Sequence, residues 1–117
     1  MIGGYDASSV TINGKRHHSS VVFSNQRIPE VWPEGDSGDF LSAASSLSTR
    51  FKPHEGVILF GTGARQIFPE VGIRRAWAQA GLVVEVMDTA AACRTFNLLV
   101  GEGRDVVAAI FIQETNQ

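Results

Sequence analysis

Three short apolar runs alternate with two segments of helical spacing in the second half of the chain, and this alternation constrains the fold more than any other feature. The apolar runs cover residues 57–60, 82–86 and 106–112. Strands that are apolar almost throughout are typical of parallel sheets that are buried on both faces. The order strand, helix, strand, helix, strand therefore predicts a largely parallel sheet with helical crossovers.

Start and stop signals delimit the two helical segments. Residues 69–80 begin with a proline, which suits the first turn of a helix, and Gly81 suits the C-terminal stop. Asp88 or Thr89 can cap the second segment, because short side chains that carry oxygen accept hydrogen bonds from the free N–H groups of a first turn. We expect that helix to end near Gly101 or Gly103.

The first half of the chain contains a β-hairpin signal. The pair Asn13-Gly14 favours a two-residue turn with positive φ at both central residues. The sequence therefore predicts one strand over residues 9–12 and a second strand over residues 15–23, which ends in an apolar run. This hairpin is the additional piece beside the strand and helix alternation.

A loop and a helix are predicted between the hairpin and the first buried strand. Residues 24–38 are rich in proline and glycine, which indicates a loop, and we expect Trp32 to attach it to the body of the domain. Residues 39–48 carry apolar side chains at helical spacing on one face. Ser37 or Asp36 are the candidate N-caps of this helix.

Length, composition and charge exclude several classes of protein. We expect residues 1–117 to form a single domain, because this length can bury a core and a hydrophobic fraction of 44% is too high for a disordered chain. A net charge of −2 disfavours nucleic-acid binding, which needs a clustered basic surface. No apolar run approaches the about 20 residues that span a bilayer, so no membrane insertion is expected.

The single cysteine and the first residues indicate the compartment. Because Cys93 is the only cysteine, no intramolecular disulfide can form, which suits a reducing environment. Residues 1–6 have neither a basic region nor an apolar run, so no signal peptide is predicted. We therefore expect a cytoplasmic protein.

The candidate site lies where two predicted strands end, because ligands of open α/β sheets bind beyond the carboxyl ends of the strands. Gly61-Thr62-Gly63 follows one strand, and Met87-Asp88-Thr89 follows the next. If these strands are neighbours, the two loops face each other across one crevice. The first loop can offer backbone N–H groups to an anion. Alternatively, its glycines only allow a sharp exit from a buried strand.

Four side chains near the start of the last helix bring together a carboxylate, a hydroxyl, a thiol and a guanidinium. They belong to Asp88, Thr89, Cys93 and Arg94. A cysteine near a helix N-terminus can be nucleophilic, but helical spacing places Cys93 on the apolar face, where it serves as a small core residue. Arg94 lies off that face and either recognises a carboxylate or phosphate or is simply exposed to solvent or ion-paired. The sequence thus predicts a ligand-binding set without a catalytic residue.

The histidines do not form a metal site. Adjacent residues of a strand point to opposite faces, so His17 and His18 cannot easily bind one ion together. No cysteine or acidic residue stands beside them at the spacing of a ligand set. The sequence predicts neither a metal nor a cofactor.

Motifs of the C-terminal half resemble those of a known family. These motifs are Met-Asp-Thr at 87–89, Ala-Cys-Arg-Thr-Phe-Asn at 92–97, Glu-Gly-Arg at 102–104, an alanine-containing last strand, and Gly-Thr-Gly at 61–63. They are similar to a family of small domains that includes mitochondrial respiratory complex I assembly factor 3 and the adipogenesis-associated Mth-domain protein. Phe96 stands where many members have tyrosine, and residues 24–38 match only loosely. The resemblance implies an α/β, three-layer domain with a central mixed, mostly parallel sheet, helices on its faces and an N-terminal β-hairpin.

The resemblance leaves two functional hypotheses. It implies a non-enzymatic accessory, assembly or regulatory protein whose partner is another protein, and it supplies no catalytic residue. Such a protein needs an exposed apolar patch, and Leu98 is expected in it because it lies opposite the buried face of its helix. The alternative is a domain that binds a small anion or metabolite in the crevice, and an enzyme is included in this alternative. A homo-oligomer remains open under both hypotheses.

Overall fold

The computed structural model describes residues 2–5, 9–25, 27–32, 39–52 and 56–112. Within these ranges the chain forms eight strands and three helices. The strands are β1 (Ile2–Tyr5), β2 (Val10–Ile12), β3 (Lys15–His17), β4 (Val21–Ser24), β5 (Arg27–Val31), β6 (Val57–Gly61), β7 (Val84–Met87) and β8 (Val106–Ile110). The helices are α1 (Phe40–Arg50), α2 (Val71–Gln79) and α3 (Thr89–Gly101).

A five-stranded mixed sheet with the order β5-β4-β8-β6-β7 forms the centre of the domain. Strand β6 pairs in parallel with both β7 and β8, as the alternation of apolar runs and helices predicts. Strand β4 pairs antiparallel with β8 and β5. A separate three-stranded sheet contains β1, β2 and β3. The expected mixed sheet with an N-terminal hairpin is thus confirmed.

Two apolar cores, one on each face of the central sheet, produce the three layers. Successive residues of β6 alternate between them: Ile58 and Phe60 face one core, whereas Leu59 faces the other. Helices α1 and α2 cover the first core through Ala43, Ala44, Leu47, Ile73 and Trp77. Helix α3 and the small sheet cover the second through Ala92, Cys93, Phe96, Ile2, Val10 and Ile12. The central strands are therefore buried on both faces, which explains their continuous apolar runs.

The predicted second strand of the hairpin, residues 15–23, is in fact two strands in two different sheets. Strand β3 pairs with β2 across the Asn13-Gly14 turn, whereas β4 joins the central sheet. Ser20 stands at the break, where its hydroxyl accepts a hydrogen bond from the N–H of Ile112 at 2.7 Å. The prediction of one continuous strand is wrong, because the polar residues of β3 suit an exposed edge and the apolar residues of β4 suit a sheet interior.

The predicted loop at residues 24–38 contains a strand, β5, which pairs with β4 at the edge of the central sheet. The loop prediction is therefore wrong for residues 27–31. Pro29 caused the error, because proline disfavours central strands but is accepted at a sheet edge. Residues 33–38 lie outside the described part of the chain.

Trp32 attaches the segment after β5 to the body of the domain, as expected. Its side chain is buried, its ring meets the ring of Phe60 edge to face, and its Nε1–H donates to the hydroxyl of Ser46 at 2.6 Å. The N-cap of α1 is Asp39, whose carboxylate accepts from the N–H of Ser42 at 2.7 Å. The prediction of Ser37 or Asp36 as this cap is wrong, and both residues lie outside the described ranges.

Candidate functional site

The two predicted loops lie side by side at the carboxyl edge of the parallel strands. In the pairing of β6 with β7, Gly61 stands opposite Met87. The N–H of Thr62 continues this pairing and donates to the carbonyl of Met87 at 2.9 Å. The condition set by the sequence, that the two strands be neighbours, is therefore met.

Hydrogen bonds join the two loops directly. The N–H of Gly63 donates to the hydroxyl of Thr89 at 2.9 Å, and the N–H of Thr89 donates to the carbonyl of Gly63 at 2.8 Å. Gly63 has a φ of 108°, a conformation that favours glycine. The N–H of Gly63, which the sequence offers to an anion, is thus used within the fold.

Gly61 lies where α3 approaches β6 closely. A Cβ atom at this position would lie 3.0 Å from Cδ1 of Ile110, 3.2 Å from Cβ of Ala92 and 3.2 Å from the hydroxyl oxygen of Thr89. A side chain at this position would therefore crowd its neighbours, whether or not a ligand binds. This geometry supports the interpretation that the glycines serve the exit from a buried strand.

Thr62 fixes the course of the loop that leads to α2. Its side chain is buried, and its hydroxyl donates to the carbonyl of Arg65 and accepts from the N–H of Ile67 at 3.1 Å. The side-chain amide of Gln66 adds a bond to the carbonyl of Val86 at 2.8 Å. The polar side chains of this region thus hold the loop against the edge of the sheet.

Asp88 is the N-cap of α3, as predicted. Its carboxylate accepts from the N–H of Ala91 at 2.8 Å, and a negative charge at this end of a helix is favourable. The carboxylate is part of the helix start and lies beside the bonded pair formed by Gly63 and Thr89. These residues, which the sequence analysis assigned to one site, therefore do lie close together in the structure.

Cys93 is buried in the second core, with 1% of its surface exposed. Burial raises the pKa of the Cys93 thiol to about 11, and the charge of Arg94 offsets only part of this increase. The thiol is therefore protonated near neutral pH, whereas a nucleophilic cysteine needs a lowered pKa. The role of a core residue explains Cys93 fully.

Arg94 and Leu98 lie one helical turn apart on the outer face of α3, and both are exposed. Leu98 has 61% of its surface exposed, as the sequence predicts. Within the part of the chain that the structure describes, the guanidinium of Arg94 makes no hydrogen bond or ion pair. Among the residues predicted for the site, Arg94 is thus the one whose charged group faces solvent.

Asn97 has a role that the sequence did not reveal. Its carbonyl oxygen accepts from the N–H of Ile2 at 2.9 Å, and its amide donates to the carbonyl of Ile2 at 2.9 Å. These two bonds join β1 to α3. The only signal in the sequence was the place of Asn97 in the motif at 92–97, since the partner backbone is remote along the chain.

The two adjacent histidines lie at the end of β3 and directly after it. His17 ends β3, and burial together with the charge of Lys15 lowers its pKa. His18 is exposed and lies beyond the strand. The described ranges contain no group of three or more histidine, cysteine, aspartate or glutamate side chains that could hold a metal ion.

In the same ranges, no helix has the length and apolarity that crossing a membrane requires.

The fold and the site define a class of protein: a three-layer α/β domain in which a Gly-Thr-Gly turn is bonded to the start of the last helix. The particular family follows from a family model, described as "Protein of unknown function (DUF498/DUF598)", which matches residues 2–111. The chain belongs to this family. The resemblance that the sequence motifs indicated is therefore confirmed.

Similar proteins support this assignment. NADH dehydrogenase [ubiquinone] 1 alpha subcomplex assembly factor 3 of Bos taurus is 33% identical over 109 residues, which are 93% of this chain and 59% of that protein. The chain thus spans less than two thirds of this relative. A crystal structure from Bordetella parapertussis is 30% identical with a TM-score of 0.77, covering 96% of this chain and 94% of that one. A Mth938-like domain from Bordetella pertussis is 29% identical with a TM-score of 0.66, covering 94% and 84%.

Proposed function

We propose that this chain is an accessory protein that helps to assemble or regulate a larger complex through contacts with another protein. Support comes from the bovine relative, which is named as an assembly factor and is 33% identical to this chain. The assembly role of that longer protein extends to this chain only as part of the proposal. The proposal includes a cytoplasmic location and the absence of catalysis.

The outer face of α3 is the observation that carries this proposal. The motif residues Asp88, Thr89 and Asn97 form hydrogen bonds within the fold. Arg94 and Leu98 of the same helix are exposed instead. Arginine is enriched at protein interfaces over the rest of the surface, and the exposed Leu98 beside it adds apolar area that a partner can bury. We therefore place the protein contact on this face.

Affinity capture from an extract of the source organism after mild crosslinking tests this function. We expect the wild-type chain to retain subunits of one complex, and Leu98→Asp to lose them at least tenfold, because the variant buries an unpaired charge at the interface. Val83→Asp is the matched control, since Val83 is exposed to nearly the same extent, 59% against 61%. Equal capture by wild type and Leu98→Asp would contradict the proposal, as would capture no greater than that of bare resin.

The ligand-binding alternative stays a prediction, and it rests on Gly61, Thr62, Gly63, Asp88, Thr89, Cys93 and Arg94. A thermal-shift screen against metabolites, nucleotides and simple anions separates it from the accessory role. A true ligand raises the melting temperature further as its concentration increases, and we expect Arg94→Ala to abolish that increase if the ligand binds beside Thr89. A dose-dependent increase that Arg94→Ala removes would favour the alternative over the accessory role.

A further inference from the structure

Three large apolar side chains are exposed close together in sequence, where the loop that follows β6 meets the start of α2. Ile67, Phe68 and Val71 have 46%, 59% and 54% of their surfaces exposed. They lie within five consecutive positions, so the extended chain length alone keeps their Cα atoms within about 14 Å. Together with Arg65, Arg74 and Arg75 they form what we call the loop–helix surface. Isolated exposed apolar residues need no explanation, but a group of them indicates a contact surface.

The loop–helix surface is held in shape by the fold. The bonds of the Thr62 hydroxyl to the backbone of Arg65 and Ile67 fix the loop from inside. The Nε–H of Arg74 donates to the carbonyl of Pro69 at 3.0 Å, and its guanidinium carbon lies 5.9 Å from the centre of the Phe68 ring. The ring of Phe68 thus lies against Arg74 on one side, and more than half of the surface of Phe68 is still exposed. Its exposure is a feature of the folded loop.

Three arginines lie in the same segment as the apolar group, together with the exposed Glu70. On α2, Val71, Arg74 and Arg75 are separated by three and four positions, which places them on one side of the helix. Arg65 lies two positions before Ile67 and is exposed. The segment of residues 65–75 contains three arginines and one glutamate, although the whole chain has a net charge of −2. The segment that carries the exposed apolar side chains therefore has an excess of positive charge.

We propose that the loop–helix surface binds the face of an anionic phospholipid membrane, with Phe68, Ile67 and Val71 among the lipid chains near the headgroups and the arginines against the lipid phosphates. Apolar side chains beside arginine are the combination by which proteins lie on anionic membranes without crossing them. The positive charge of the arginines is complementary to such a membrane, and one guanidinium can bind two phosphate oxygens at once. This inference is independent of the protein contact proposed for α3.

The exposure of the apolar side chains distinguishes this surface from a pocket for a small molecule. Such a pocket is concave and buries most of the ligand that it binds. Phe68 and Val71 instead have more than half of their surfaces exposed on a loop and a helix start. A fluid headgroup layer needs no matching shape, and binding to it scales with the buried apolar area together with the attraction between basic side chains and anionic lipids.

Vesicle flotation of the full chain tests this proposal directly. We expect binding to vesicles of phosphatidylcholine with about 30 mol% phosphatidylglycerol and little binding to phosphatidylcholine alone, and the binding should weaken as salt is added. Arg75→Glu should lower the partition coefficient about tenfold or more, because it reverses one of the positive charges of the loop–helix surface. Phe68→Ala should lower the partition coefficient by a similar factor, because the variant lacks the aromatic ring whose transfer from water into the lipid favours binding.

Matched controls separate the loop–helix surface from the rest of the molecule. Arg16→Glu and Val31→Ala alter an exposed arginine and an exposed valine on β3 and β5, and we expect both to bind vesicles as the wild type does. Circular dichroism of each variant confirms that the fold is retained. Binding to anionic vesicles no greater than to phosphatidylcholine would overturn the proposal and leave the surface to an acidic protein. Equal losses in test and control variants would overturn it as well.

Discussion

Gly61→Ala tests whether the glycine turn of the candidate site exists for packing. Gly61 is the last residue of β6, and its carbonyl accepts from the N–H of Phe111 at 2.8 Å. The added methyl group would lie 3.0 Å from Ile110 and 3.2 Å from Ala92. Relief requires that α3 or the side chain of Ile110 move by a few tenths of an ångström. Overpacking of this kind costs about 1–3 kcal/mol.

Urea denaturation followed by circular dichroism measures this cost. We expect the midpoint of unfolding to fall with an unchanged m-value, and the melting temperature to fall by roughly 4 °C per kcal/mol. Gly72→Ala is the matched control, because a Cβ at Gly72 in α2 meets no atom within 4 Å, and alanine in a helix should add about 0.5–1 kcal/mol. Equal stability of Gly61→Ala and wild type would refute the argument that α3 requires a glycine here.

Three further predictions concern α3. Asn97→Ala removes both hydrogen bonds to Ile2 and should destabilise the fold by about 1–3 kcal/mol. Amide exchange in β1, measured by NMR, should become faster; unchanged exchange would contradict the view that these bonds hold β1 on α3. Asp88→Ala removes the N-cap and should cost about 1 kcal/mol in urea, whereas Asp88→Asn, which still accepts a hydrogen bond, should retain most of the stability. The thiol of Cys93 has a pKa raised from 9.0 to about 11 by burial, so its neutral form is favoured by folding. Its contribution to stability is therefore complete below pH 9 and is lost as the pH rises toward 11, and Cys93→Ala should show a smaller loss over that range in urea titrations. Equal pH dependence in both proteins would show that Cys93 does not contribute.

The second half of the fold could be predicted from the sequence because its signals are local. The apolar runs of β6, β7 and β8 and the helices between them were predicted to within two residues at each end. Burial on both faces leaves few positions for polar side chains, so such strands are easily recognised. The adjacency of the two loops was only a condition at that level, because a helical crossover does not by itself make two strands neighbours: α3 joins β7 to β8, and β6 lies between them in the sheet.

The first half was less predictable because its partners are remote. The separation of β3 from β4 depends on pairing with β8, and the strand β5 exists because β4 offers it an edge. Asn97 bonds the backbone of Ile2, 95 positions away, and no local pattern indicates such a contact. At the candidate site the sequence identified the correct neighbours, but the closeness of α3 to Gly61 became visible only in three dimensions.

The position of β8 has a consequence for how this protein is made. The strand is the last of the described strands in sequence order, and in the sheet it lies between β4 and β6. A nascent chain that has emerged through α3 therefore holds a β4–β5 pair and a β6–β7 pair with no strand to join them. Each pair exposes an open apolar edge, which favours association with other chains during synthesis. Completion of the sheet must wait for residues 106–110 to leave the ribosome, so pauses late in translation should lower the yield of folded protein.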